Sequence, residues 1–368
     1  MQKKLIVSAT AVLALSAAGA CGSAEEGGSA PQDTNETVAS VSAKLEGLSD
    51  EDRRAELIEL AKAEGGSLNI YTSNPEESAQ YAAEEFTNAT GIEVTVYRAG
   101  AEEVQQKVVE EANADYDNQA DVILNSDEAM YALTEAGVLE KFTTPASEGI
   151  PEETVTPEWI AAYFAPFVAA WNTDRTSGGM TGWKDFLTEY AGKLGMVNSD
   201  SDWFGSIVEI MMKEDGLTEE QAVQLFKDAA KGSQVVDGHT LVGTLLASGQ
   251  IDATGSAYSF TINKLKSEGA PVVWEPPVLP IVSTFGAVAI NKATDQPATS
   301  LLWIDWTLTD GMKLALEHDA QDPANPAYGG TLSKYLENGD IRIRDIKFVS
   351  TEADKWERLY QDVLRNAG

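Results

Sequence analysis

Catalysis at neutral pH needs a group that can move a proton or attack a bond, and the chain offers few. It has two histidines, His239 and His318, and one cysteine, Cys21. His318 closes an amphipathic segment, where a cation complements the carbonyl end of a helix. His239 follows Gly238 at an expected helix start, and both histidines read as structural. The sequence contains no His-Glu-x-x-His zinc pair, no Gly-x-Ser-x-Gly elbow and no glycine-rich phosphate loop. The stretch DYDNQADVILNS (115–126) spaces its acids like a calcium loop. Ala120 stands where that loop turns on Gly, however, and Ser126 stands where it needs a bidentate Glu. Acids are so frequent that no single carboxylate pair is informative. The chemistry left to this chain is recognition, with no catalytic residue and no cofactor expected.

The charge balance narrows what is recognised. With 59 acidic and 26 basic residues the net charge is -33. That excludes nucleic acid, which needs clustered Lys and Arg, and electrostatic docking on anionic lipid. At 368 residues the chain can form two domains, or one fold with two lobes. Lys3 and Lys4 precede an apolar run at 5–15, the length of a signal-peptide core and too short for a membrane span. Small residues then lead to Cys21. A cut before a lone cysteine resembles the bacterial lipoprotein signal, although Ala18 stands where Leu is usual. The alternative is an ordinary signal peptide with a chance cysteine. The expectation is a signal peptide at 1–20, a lipid on Cys21 and residence on the extracellular face of the cell membrane. Residues 21–43, rich in Gly, Ser and Glu, are expected to form a flexible tether.

Positioning elements follow. Ser49 suits an N-cap before the apolar positions Leu57, Ile58, Leu60 and Ala61, and Gly65-Gly66 suits the stop. SLNIYTS, IEVTVYRAG and ADVILNS read as strands, each followed by a helical segment. Pro75, Glu76 and Glu77 suit the first turn after the first strand, with Tyr81, Ala82 and Phe86 expected on the inner face. Alternation of this kind predicts an α/β fold with parallel strands and crossover helices. FAPFVAAWNT (164–173) begins a second α/β unit that includes IDATGSAY. FGAVAIN (285–291) is a further strand, followed by a strongly apolar helix, and the chain is expected to end in a helix over about 351–366.

The order of AKAEGGSLNIYTS, EEFTNATGIEVTVYRAGAEEVQQKV, ADVILNSDEAMYALTEAGVLEKF, FVAAWNT, KLKSEGAPV, AVAINKATDQPATSLLWIDWTLTDG and IRIRDIKF resembles the extracellular solute-binding proteins of ABC importers. Within them it resembles the branch that includes ferric-iron binders. The resemblance implies a two-lobed periplasmic-binding-protein (Venus flytrap) fold. Its first lobe would be 44–168 with 286–320, and its second 169–285 with 321–368. The lobes would cross near 167–172 and 285–291 and close on a solute that a membrane permease then receives. A monomer is expected. A secreted enzyme or a sensor-coupled binding protein on the same fold are the competing classes.

Ligands of open parallel sheets sit beyond the carboxyl ends of strands. That rule selects Tyr71, Ser73 and Asn74 after the first strand, Arg98 after the second, and Asn125, Ser126 and Asp127 after the third. The second unit contributes Asp200, Ser201, Asp202, Trp203, Tyr258, Ser259 and Thr284, and the expected crossing contributes Trp171. Ser73, Asn74 and Ser126 equally suit helix caps. Ferric-iron relatives place two adjacent tyrosines where this chain has Tyr258 and Ser259, so the resemblance makes Tyr258 the candidate metal ligand and Fe3+ the leading cargo. Two alternatives stand beside iron. A phosphorylated or phosphonate solute would use Ser73, Asn74, Arg98 and Ser201. An amine-bearing solute, such as an aminophosphonate or polyamine, would use Asp127, Asp200 or Asp202 with Trp203 and Tyr258.

Overall fold

The computed structural model describes residues 36–114, 116 and 119–367. The expected signal peptide, Cys21 and the tether as far as residue 35 lie outside the described residues. Residues 38–43, assigned to the tether from composition, are instead part of a helix, α1 (Val38–Lys44). Thr37 and Ser40 form its capping box, and Val38 and Val41 are buried. The two valines supply the apolar face that a Gly/Ser-rich tether lacks.

The first half alternates as the pattern predicts: α2 (Asp50–Glu64), β1 (Ser67–Thr72), α3 (Glu76–Thr90), β2 (Glu93–Arg98), α4 (Ala101–Asn113), β3 (Val122–Ser126) and α5 (Asp127–Glu135). Ser49 caps α2 by accepting from the Asp52 amide. The buried face of α3 is Ala79, Ala83, Phe86 and Thr90; Tyr81 instead stacks on His318 at 4.1 Å. A long strand, β4 (Trp159–Asn172), leads into the second half. There follow α6 (Trp183–Glu189), β5 (Leu194–Val197), α7 (Ser201–Glu214), α8 (Glu219–Ala230), β6 (Gln234–Val236), α9 (His239–Ala247), β7 (Ala253–Tyr258), α10 (Ser259–Ser267) and the short β8 (Val272–Val273). A second long strand, β9 (Ile281–Ile290), returns to α11 (Pro297–Trp306) and α12 (Met312–Asp319), joined by a π-helical turn at Thr307–Gly311. The tail holds β10 (Asp322–Pro323), α13 (Ser333–Glu337), β11 (Ile341–Ile343), α14 (Ile346–Thr351) and α15 (Ala353–Leu364).

The sheet runs β2-β1-β3-β9-β4-β7-β5-β6. Its wings are parallel, β1 pairing with β2 and β3, and β5 pairing with β6 and β7. The two long strands are antiparallel to each other and to β3 and β7 on either side, while the short β11 pairs with β9 in parallel. The late part of β9 pairs with β3, and the late part of β4 pairs with β7. These strands therefore join a first lobe, built on β1–β3, to a second lobe, built on β5–β7. Register places the changeover where Ala165–Phe167 faces Val282–Thr284.

Aromatic packing holds the second lobe. Trp183, Phe186, Phe204, Phe226 and Trp356 are buried together. The C-terminal helix returns to this lobe, with Trp356 of α15 lying against Gly205 of α7 and the Tyr360 hydroxyl donating to the Val197 carbonyl at 2.6 Å. Among the described residues no helix is long and apolar enough to cross a membrane.

Candidate functional site

The first turn of α5, after β3 of the first lobe, and the first turn of α7, after β5 of the second, meet across one interlobe cleft. In the first lobe, the Ser73 amide donates to the Leu124 carbonyl at 3.1 Å, and the Asn74 amide donates to Thr72 Oγ1 at 3.0 Å. Arg98 Nε donates to the Asn74 carbonyl at 3.0 Å. The Tyr163 hydroxyl, from β4, donates to Asn74 Oδ1 at 2.7 Å. Asn74 is thus the joint between the first turn and the long strand. Ser126 caps α5, accepting from the Ala129 amide at 3.4 Å. Thr284 ties the long strands together by donating to the Ala165 carbonyl at 3.1 Å.

Four residues expected at the ligand serve the fold instead. Tyr71 points to α4, where its hydroxyl donates to Glu111 at 3.2 Å and its ring meets Tyr97. Alternation along β1 turns that side chain to the helix-covered face. Asn125 is fully buried and donates to the Ala101 carbonyl at 3.1 Å, fixing β3 to α4. Trp171 is buried against Gly178 beside β7. Trp203 is buried between Trp183 and Phe226 and over Gly255. Each side chain is large or polar enough to be needed by its own lobe.

The charged centre of the cleft is built on a residue that the strand-end rule misses. Arg344 follows β11, and its amide donates to the Ser283 carbonyl on β9 at 2.9 Å. Its guanidinium, 5 % exposed, reaches Asp127 at 2.8 Å and Glu128 at 3.0 Å, both in the first turn of α5. It also pairs with Asp202 in the first turn of α7. Burial raises the Asp127 carboxyl against the pull of Arg344. Burial likewise raises Glu128, to about 7, with Arg344 opposing the shift and Asp202 adding to it. Glu128, Ser201 and Asp202 line a recess of about 400 Å³, walled by Tyr131, Ile346 and Trp356.

Beside this centre stands an aromatic group. Tyr258 closes β7, and its ring stacks on Phe167 at 5.0 Å and on Phe260 at 5.3 Å. His239 lies 4.6 Å from the Tyr258 ring, and its Nε2 is 3.1 Å from Asp200 Oδ1. His239 starts its helix as expected, but it also forms part of this site. Burial, then Asp200, push the Tyr258 phenol above its ordinary range, with Arg344 opposing. Burial also raises Tyr163, and charge on Tyr258 and Asp127 adds to it. Ser259, the first residue of α10, is fully buried.

Several polar atoms in this region have no hydrogen-bond partner. They are Oδ2 of Asp127, Oδ2 of Asp200, Oγ of Ser259 and Nε of Arg344, all buried. Leaving such groups unpaired is costly, and functional sites are where the cost is tolerated. Among the described residues, no group of three or more His, Cys, Asp or Glu side chains is disposed to hold a metal ion.

A family model described as bacterial extracellular solute-binding protein matches residues 68–308. No curated protein is matched. Among solved structures, iron-bound HitA from Pseudomonas aeruginosa is 18% identical, with a TM-score of 0.64 over 81% of this chain and 99% of that one. AfuA from Actinobacillus pleuropneumoniae, with fructose-6-phosphate bound, is 20% identical, with a TM-score of 0.63 over 82% and 99%. MotA from A. tumefaciens B6, in complex with glucopine, is 16% identical, with a TM-score of 0.61 over 81% and 99%. At these identities the likeness establishes the fold, that of two-lobed periplasmic binding proteins. Metal, sugar phosphate and opine all occupy it in those proteins, so the cargo rests on the side chains.

Proposed function

The chain belongs to the bacterial extracellular solute-binding protein family, and from that premise we propose that it captures a small organic cation in the interlobe cleft for an ABC importer. The lobes close on the solute and the closed form is presented to the permease, a hinge motion driven by differential affinity for the closed state. No catalytic step is assigned to it. The signal-like start and Cys21 support a lipid-anchored monomer on the outer face of the cell membrane, with residues 21–35 as the reach between lipid and fold. In this reading the first lobe is 36–168 with 286–320 and the start of the tail, where β10 pairs with β4 at Tyr163 and Phe164 and Asn325 donates to the Glu148 carbonyl, and the second is 169–285 with the rest of the tail.

One observation carries the choice of cargo. Asp127, Glu128 and Asp202 share Arg344 as their cation, Asp200 faces His239 beside them, and Asp127 and Asp200 each keep a buried oxygen without a partner. An ammonium group on the solute would pair with those oxygens. An anionic solute would meet the same acids as repulsion, which disfavours the phosphate and phosphonate readings. Ferric iron remains a second reading because Tyr163 and Tyr258, from different strands, are close enough for charge on Tyr258 to raise the Tyr163 phenol. Against it, both phenols are pushed toward the protonated form, and Ser259 replaces the second tyrosine of the iron-binding pattern.

Residues 36–368 form a compact unit, so the test uses that unit. Its thermal unfolding is followed with spermidine, putrescine, choline, aminoethylphosphonate, fructose-6-phosphate and ferric citrate. A solute bound only by the native state stabilises it by about 2.7 kcal/mol at a hundred times its dissociation constant. Stabilisation by amines is expected. Stabilisation by ferric citrate alone, with a phenolate absorption band lost in both Tyr163→Phe and Tyr258→Phe, would replace the amine reading with iron. Stabilisation by the sugar phosphate alone would refute both.

A further inference from the structure

We propose that Arg344 is a positioning residue that clasps the two lobes together, holding Asp202 of the second lobe against Asp127 and Glu128 of the first. The proposal rests on the capture reading only in taking lobe closure as the functional motion. Three features of the geometry support it. The guanidinium is anchored at the changeover between lobes, because its backbone amide is bonded to Ser283 of β9. Its contacts divide between the first turn of α5, which follows β3, and the first turn of α7, which follows β5. Finally, the group is almost wholly buried, so it depends on those carboxylates to offset its desolvation.

These facts make the clasp directional. Asp127 is 1 % exposed and Asp202 is 27 % exposed. The tail that carries Arg344 runs along α7, where Arg342 pairs with Glu214 at 3.1 Å, so opening the cleft would carry Arg344 away with Asp202 and break its Asp127 and Glu128 contacts. A guanidinium fork can hold carboxylates from two elements at once, which an ammonium does with less geometric control. Arg344 therefore biases the ligand-free protein toward closure and sets how much solute affinity is needed to complete it.

The experiment measures lobe separation without any solute. Spin labels are placed on the unit 36–368, which contains no native cysteine, at Glu84→Cys and Glu220→Cys, both exposed. Distances are read by pulsed electron resonance in the parent, in the double variant Asp127→Asn/Glu128→Gln and in Arg344→Met. Both variants are expected to shift the distribution to longer separations. They are also expected to weaken binding of any stabilising solute roughly tenfold or more. If Arg344→Met does not fold, the double variant Asp127→Asn/Glu128→Gln decides alone, since both replacements keep the shapes of the side chains they replace. A distribution unchanged in that double variant overturns the clasp, even if affinity falls. Because no solute is present, failure of the cargo reading leaves this distance result intact and separately interpretable.

Discussion

The ring of Tyr163 lies over Gly286, its cross-strand partner, where any side chain at 286 would overlap it. Gly286→Ala must therefore push the phenol aside and strain or break its bond to Asn74. Overpacking of this kind costs about 1–3 kcal/mol, read as a lower urea midpoint at unchanged slope. In a Tyr163→Ala background the same substitution should cost close to nothing. Equal costs in the two backgrounds would show that the ring and the glycine are not coupled.

Stability should fall as pH rises from about 4 to about 6, and Asp121 is a principal reason. Its carboxylate is buried, accepting from the Asn69 amide at 2.8 Å and the Thr294 hydroxyl at 2.7 Å. Burial outweighs these donors and raises its pKa to about 6, from 3.8. In that window the folded chain holds a proton that the unfolded chain has released. The contribution is complete below the unfolded value and lost through the folded one, at up to about 1.4 kcal/mol per pH unit. Glu128 extends the decline toward 7, and Asp127 and Asp322 act in the same direction. Asp121→Asn should flatten the lower part of the profile in denaturant melts at several pH values. An unchanged slope between pH 4 and 6 would assign the effect elsewhere.

The C-terminal helix supports the second-lobe side of the site through α7. Trp356 packs against Gly205, where a Cβ would stand 2.8 Å from the ring, and Tyr360 bonds the end of β5. Trp356→Ala should cost about 3–5 kcal/mol. Tyr360→Phe, which keeps the ring, should cost about 1 kcal/mol. Chemical denaturation distinguishes the two, and a similar cost for both would mean that the hydrogen bond, not the ring, carries the attachment.

Local chemistry made most of the fold legible. Ser49 caps α2 as its type and place suggest, and the three early strands occupy their expected stretches. Strand ends also located Asn74, Ser126, Asp127, Asp202 and Tyr258 near the cleft. The same rule failed for Tyr71, Asn125 and Trp203, because it fixes where a residue stands and not which way its side chain turns. Arg344 was out of reach for another reason. It lies 217 positions from Asp127 and 142 from Asp202, and nothing local marks it as different from Arg342. Period-2 alternation in IRIRDIKF puts Arg342 and Arg344 on the same face, so it does not separate the exposed one from the buried one, and only the tertiary contacts after β11 ends do.

Ser259 gives the sharpest separation between a structural and a binding role. It is fully buried, its hydroxyl has no partner, and it opens α10 directly after Tyr258. A hydroxyl kept there for the fold alone would be satisfied by the fold. Removing an unpaired buried hydroxyl relieves its desolvation cost, so Ser259→Ala should leave ligand-free stability unchanged or raise it by up to about 1 kcal/mol. The same change should weaken solute binding several-fold, because the solute loses the group that would satisfy it. Calorimetric titration beside thermal melts of the ligand-free protein tests both halves. A destabilised ligand-free variant would mean that the hydroxyl serves the fold, and an unchanged affinity would remove Ser259 from the site.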